Sequence, residues 1–195
     1  MQGLRTITVL LIYAALGAVP AAADEPRPNI LLIVADDLGY ADLGAYGSDI
    51  RTPNIDALAT RGMLFTQFHT APMCAPTRAM LLSGNNNHVA GMAGQSRNGI
   101  AGVPYPGYEA SLSDRIAPLP RILRDAGYHT YTVGKWHLGL TAETSPTAAG
   151  FTRSFNLLQG GGNHWDSIGF ENGSTTYWAD GDFTDYPAGE YSTWA

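Results

Sequence analysis

The chain has 195 residues, with 11 basic against 17 acidic side chains and a formal charge of −6, a balance that argues against a polyanion partner such as nucleic acid. Its 23 glycines and 12 prolines imply a domain with a real core but many loops. A single cysteine excludes an internal disulfide.

The opening "MQGLRTITVLLIYAALGAVPAAADEP" places Arg5 ahead of an apolar run, Ile7 to Val19, and small residues at Ala21 to Ala23. This reads as a secretory signal over residues 1–23, cleaved after Ala23, which leaves 10 basic against 17 acidic residues and a charge of −7. The run is short for a bilayer span, and no later segment is better suited. The mature chain is expected to be exported, periplasmic or secreted, with no membrane association after cleavage.

"PNILLIVADDLG" is continuously apolar from Ile30 to Val34 and predicts a central strand of a parallel sheet, ending at Asp36 and Asp37. In "RTPNIDALATRG", Thr52 can cap a helix, Pro53 suits its first position and Gly62 ends it. Met63 to Phe68 reads as a second strand. "CAPTRAMLLSG" gives a second helix, with Cys74 just before its start and Gly84 at its end. Asn85 to Pro118 reads as a long surface excursion. A third helix stops at Gly127, and a third strand is expected from His129 to Val133.

Strand, helix, strand, helix, strand predicts an α/β fold with a doubly wound sheet, whose working groups lie beyond the carboxyl ends of the strands. Asp36 and Asp37, Cys74, and Lys135 with His137 all fall at such ends. After Thr141 the pattern weakens; Asp180, Asp182 and Asp185 in "ADGDFTD" read as an acidic loop, and "NGS" at Asn172 to Ser174 is a glycosylation acceptor in a eukaryote. The chain stops at Ala195 with no terminating pattern. The sequence is therefore read as cut short.

Two adjacent carboxylates repel each other, so a cleft that holds Asp36 and Asp37 calls for a hard divalent cation, calcium or magnesium; a solvated turn is the alternative. At a helix start the backbone dipole favours an anion or an activated nucleophile at Cys74, and Arg78 follows one turn later. Lys135 and His137, two apart, share one side of an extended segment and pair a positive charge with a proton acceptor. Taken singly, these are also a buried thiol, an ordinary helix arginine, a surface lysine and a core histidine.

Together these stretches resemble the sulfatase family. "CAPTRAMLLSG" is similar to its first signature, "GYHTYTVGKWHLG" to its second, and "PNILLIVADDLGYADLGAYG" to its metal-binding start, while "GFTRSFNLLQGGGNH" resembles bacterial arylsulfatases. The resemblance covers roughly residues 28 to 165. It implies an alkaline-phosphatase-like fold with a mixed sheet between helices and hydrolysis of small-molecule sulfate esters. It also implies oxidation of Cys74 to formylglycine by a formylglycine-generating enzyme. By position, Asp36, Asp37 and the modified Cys74 would bind calcium, with magnesium the alternative. The Cys74 hydrate would be the nucleophile, Arg78 would hold it, Lys135 would hold the sulfate oxygens and His137 would take a proton. The family's later aspartate-asparagine pair has no counterpart, since no "DN" occurs in the chain, so these residues alone are expected to be inactive. Other readings are a formylglycine-dependent phosphonate or phosphodiester hydrolase, a catalytically silent metal- or anion-binding remnant, and a thiol hydrolase using Cys74 and His137.

Overall fold

The computed structural model describes residues 27–95, 105–163 and 176–184. The expected signal peptide, Asn172 to Ser174, Asp185 and part of the 85–118 segment lie outside the described residues. Among the described residues no helix is long and apolar enough to cross a membrane.

Residues 27–35 form a unit of their own. The strand expected from Ile30 to Val34 is not formed there: these residues have no regular structure, and their side chains are 42% to 85% exposed. Met63 to Phe68 is likewise irregular and exposed instead of a strand. An apolar run specifies burial, but a strand also needs a neighbouring backbone to take up its N–H and C=O groups, and neither run has one among the described residues.

The helices follow their local signals. Helix α1 (Pro53–Arg61) has proline in its first turn, and its Gly62 amide donates to Leu58 O. Its Asp56 carboxylate accepts from Ala45 N and from Thr52 Oγ1, both at 2.8 Å, and Thr52 Oγ1 accepts from Gly44 N at 2.9 Å. Helix α2 (Cys74–Ser83) begins at Cys74 itself and ends at Gly84. Ala75, Pro76 and Ala79 form its buried face, since a spacing of four returns to one side of a helix. Helix α3 (Leu119–Asp125) also carries a proline in its first turn.

One mixed sheet supplies the frame. Strand β1 (Tyr131–Lys135), two residues later than expected, pairs in parallel with β2 (Arg153–Leu157). Strand β2 pairs antiparallel with β3 (Tyr177–Ala179), and β3 with β4 (Asp182–Thr184). A short helix, α4 (Pro146–Ala149), lies in the β1–β2 crossover, and the Ser145 hydroxyl at its start accepts from Ala148 N. The expected acidic loop is a hairpin: Asp180 and Gly181 have φ of 48° and 113°, as a two-residue turn requires. Asp180 accepts from Ser154 N and Arg153 Nε.

Buried Ala75, Ala79, Ala90, Met92, Trp136, Leu138, Ala149, Leu158 and Trp178 make one core. Ala90 and Met92 belong to the segment expected to run over the surface, and its described part instead folds inward. Ser113 N donates to Ala90 O at 2.9 Å and Ala93 N to Gly107 O at 2.8 Å, so backbone bonds replace a regular element. Gly91 makes this approach possible: its φ is 95°, and a Cβ there would lie 2.3 Å from Ser111 O.

Gly91→Ala is therefore expected to destabilise the fold by about 1–3 kcal/mol from backbone strain alone, with the clash adding to it. Urea unfolding measures the loss, and an unchanged midpoint would contradict this packing.

Candidate active site

The site is built at the carboxyl end of β1. The β1–β2 ladder continues beyond the strand, with Trp136 N donating to Leu157 O at 2.8 Å and His137 N to Leu158 O at 3.1 Å. Trp136 is also held through its ring, whose Nε1 donates to Thr144 O at 2.9 Å. Asn156, fully buried on β2, donates to Gly134 O at 3.0 Å. Residues 134 to 137 are thus fixed by backbone bonds before any of their side chains act.

His137 is 5% exposed and has φ of 58°. A left-handed conformation is uncommon outside glycine and is held only where the surroundings impose it. It corrects the expectation that Lys135 and His137 share a side by strand alternation, because the extended run ends at Lys135. The imidazole lies against Gly160, where a Cβ would come within 2.6 Å of the ring.

Cys74 is brought to this place from α2, and its Sγ lies 3.3 Å from His137 Nδ1. Gln95 Nε2 donates to the same sulfur at 3.1 Å. Arg78 lies one turn further along α2, near enough for Cys74 to act on it electrostatically. It reaches across to the end of β1, where Nε donates to Trp136 O at 3.1 Å and Nη2 to Lys135 O. Lys135 Nζ meets Asp36 Oδ2 at 2.5 Å. Asp36, Cys74, Arg78, Lys135 and His137 are therefore joined, directly or through one another. Asp37 stays exposed in a turn with φ of 53°.

The charge pattern is set by burial. His137 is pushed down from its ordinary value of 6.5 to about 4, mainly by burial and then by the positive charges of Lys135 and Arg78, with Asp36 opposing. At neutral pH it is an uncharged imidazole, and in the tautomer that carries its hydrogen on Nε2 it can accept a proton at Nδ1 from whatever the Cys74 side chain carries. Burial also lowers the pKa of Arg78, while Asp36 and Cys74 favour its charge; a guanidinium stays cationic in such a setting.

Among the described residues no group of three or more His, Cys, Asp or Glu side chains is arranged to hold a metal ion. Asp36 and Asp37 are oxygen donors of the kind a hard cation takes, and the Lys135 ammonium on Asp36 marks the need for positive charge at that point. They fit as part of a calcium shell and fall short of a whole one.

Sequence reasoning missed Gln95, Asn156 and Gly160. Gln95 stands in a glycine-rich stretch with no period, and Asn156 and Gly160 matter only because β2 lies beside β1. Gln95 had no local signal, and Asn156 and Gly160 stood within the "GFTRSFNLLQGGGNH" stretch without being singled out.

A family model described as sulfatase matches residues 28–193. An uncharacterised sulfatase of Schizosaccharomyces pombe is 53% identical over 148 residues, which are 73% of this chain and 26% of that protein. The arylsulfatase of Klebsiella aerogenes is 40% identical over 176 residues, 88% of this chain and 38% of the relative. Among solved structures, Ps i-CgsB superposes with a TM-score of 0.63 at 30% identity, over 84% of this chain and 38% of that one. The chain thus spans between a quarter and two fifths of the length of these relatives.

The depressed His137 pKa has a consequence for stability. Between about pH 6.5 and about 4 the unfolded chain binds a proton that folded His137 refuses, so stability is lost as pH falls through that window. The urea midpoint is expected to drop from pH 6.5 to 5, and less steeply in His137→Gln. Equal slopes in the two proteins would contradict a buried neutral imidazole.

Proposed function

The chain belongs to the sulfatase family, and from that premise we propose that the protein carrying it is an exported arylsulfatase, using Cys74 matured to formylglycine and a calcium ion held in part by Asp36 and Asp37. The family hydrolyses sulfate esters. Residues 24–195 are proposed as the N-terminal part of its catalytic domain, inactive by themselves because the carboxylates present leave a calcium shell of about six to eight oxygens unfilled.

The observation that carries this reading is the meeting of Cys74 Sγ with His137 Nδ1 at 3.3 Å, within the field of the cations Arg78 and Lys135. In this structure the thiol sulfur stands in for the oxygens of the matured residue. Formylglycine supplies, as its hydrate, a hydroxyl nucleophile toward sulfur, and calcium supplies positive charge beside it. Everything else falls to this chain's own side chains. His137, neutral at neutral pH, accepts a proton at Nδ1 from the Cys74 position. Lys135 offers its ammonium to the sulfate oxygens. Arg78 holds the two carbonyls that aim Lys135 and His137, and its fixed charge favours the anionic substrate. Preorganised positive charge of this kind is usually the largest contribution to such catalysis.

The same distance of 3.3 Å suits a thiol hydrolase in which Cys74 stays a thiol and His137 is its base. Peptide mass spectrometry of active full-length protein, made with the maturing enzyme, separates the two: an aldehyde at Cys74 is expected, and an intact thiol in active enzyme would refute our reading. Rates on matched aryl sulfates and phosphodiesters then test the substrate class, with the sulfate preferred.

Cys74→Ala should abolish turnover. Lys135→Ala should raise KM and lower kcat/KM, whereas His137→Ala should lower kcat by about 100- to 10,000-fold, the range for losing a general base. Steady-state kinetics distinguish these outcomes, and a His137→Ala enzyme with unchanged kcat would remove that residue from the reaction.

A further inference from the structure

We propose that Gln95 is a positioning residue of the reaction centre, its side-chain amide fixing the orientation of the Cys74 side chain that also meets His137. This rests on the sulfatase reading for its catalytic consequence and on geometry alone for the contact. Cys74 sits at the first position of α2, where the preceding Met73 gives no side-chain cap. No capping side chain therefore holds it locally. Two partners distant in sequence do: Gln95 Nε2 donates to Sγ at 3.1 Å, and His137 Nδ1 lies 3.3 Å from it.

The two contacts have complementary direction. His137 Nδ1 lies 3.3 Å from Cys74 Sγ, and in the tautomer protonated at Nε2 this nitrogen accepts from the atom on Cys74. An amide N–H only donates, so Gln95 delivers a proton donor to that same atom. A hydroxyl at the end of the Cys74 side chain needs both, because it has one hydrogen to give and lone pairs to satisfy. With both partners present, its hydrogen points at the imidazole and a lone pair points at the amide, which leaves the remaining lone pair for attack. Gln95 adds no charge, so it orients the group without competing for the anionic substrate. Its backbone is carried by the inward-folding segment whose Ala90 and Met92 are fully buried, and that packing gives the amide its fixed origin.

The test uses full-length protein made with and without the maturing enzyme, comparing wild type with Gln95→Leu, which removes the donor, and Gln95→Glu, which keeps the shape and replaces the donor with an acceptor. Without maturation, alkylation of the Cys74 thiol by iodoacetamide at one fixed pH is expected to slow about threefold or more in both variants, since the sulfur loses the donor that steadies its negative charge. With maturation, conversion at Cys74 by mass spectrometry should be unchanged. Capture of the aldehyde by an aminooxy probe should be several-fold faster in both variants, because the hydrate loses a stabilising bond. On an aryl sulfate, kcat should fall about 10- to 100-fold with little change in KM, the scale of loss from misplacing a reacting group. A purely packing role would spare the isosteric Gln95→Glu and would leave thiol alkylation alone. Unchanged alkylation and unchanged aldehyde capture in both variants would overturn the proposal. Absence of aldehyde and of sulfate-ester turnover in wild type would sink the sulfatase reading instead, and the alkylation comparison would still decide whether Gln95 holds Cys74.

Discussion

The parallel pairing of β1 with β2 is the constraint on which the site depends, because it is carried two residues past the strand by the amides of Trp136 and His137. A parallel ladder needs both strands to hold register along their length. Here the register that sets Lys135 opposite Leu157 also decides which carbonyls are left for Arg78. His137 then turns into a left-handed conformation that its own side chain does not favour. Backbone bonds on one side, the Gly160 contact on the other and the buried surroundings together maintain it. A slip of one residue would send Lys135 and His137 to different places, so fold and chemistry are tied at the same four residues.

Electrostatics follows from that placement. Arg78, Lys135 and neutral His137 share a partly buried space with one carboxylate, Asp36. Burial penalises every charge there, and the protein meets the penalty unevenly: arginine keeps its charge and binds carbonyls, lysine pairs with a carboxylate, and histidine gives its charge up. The outcome is a site that is positive toward an anion yet holds an uncharged proton acceptor. Two cations beside an imidazole produce this without any special group, since their field and burial act in the same direction on the histidine.

How much of this was legible in the sequence depended on the range of the interactions that determine it. Helices α1 and α2 were readable because proline and glycine act on their own backbones, at Pro53, Pro76, Gly62 and Gly84. The Asp180-Gly181 hairpin had an equally local signal, which the surrounding acids disguised as a loop. The apolar runs at Ile30 to Val34 and Met63 to Phe68 misled because hydrophobicity records a need for burial and says nothing of which backbone will pair. In the site, the reactive side chains were legible as a pattern of residue types. The bonds that aim them were not: Arg78 binds carbonyls of residues 57 and 58 positions away, a contact without any compositional trace.

The spacing within "CAPTR" has a physical meaning that the contacts make explicit. Cys74 and Arg78 are four residues apart on one helix, so they leave α2 on the same face and differ in height by about one turn. Cys74 meets the side chain of His137, and Arg78 meets the carbonyls of the two residues just before it. One helix face thus grips one three-residue segment at two levels, the upper contact chemical and the lower structural. Pro76 and the small residues Ala75 and Ala79 are buried on α2, the two alanines in the core that also holds Trp136 and Leu138, so bulk there would disturb that packing. The motif therefore encodes a distance between two backbones as well as a reactive group. A cysteine and an arginine at other spacing could supply the same functional groups, but they could not hold Cys74 against His137 from a single rigid element.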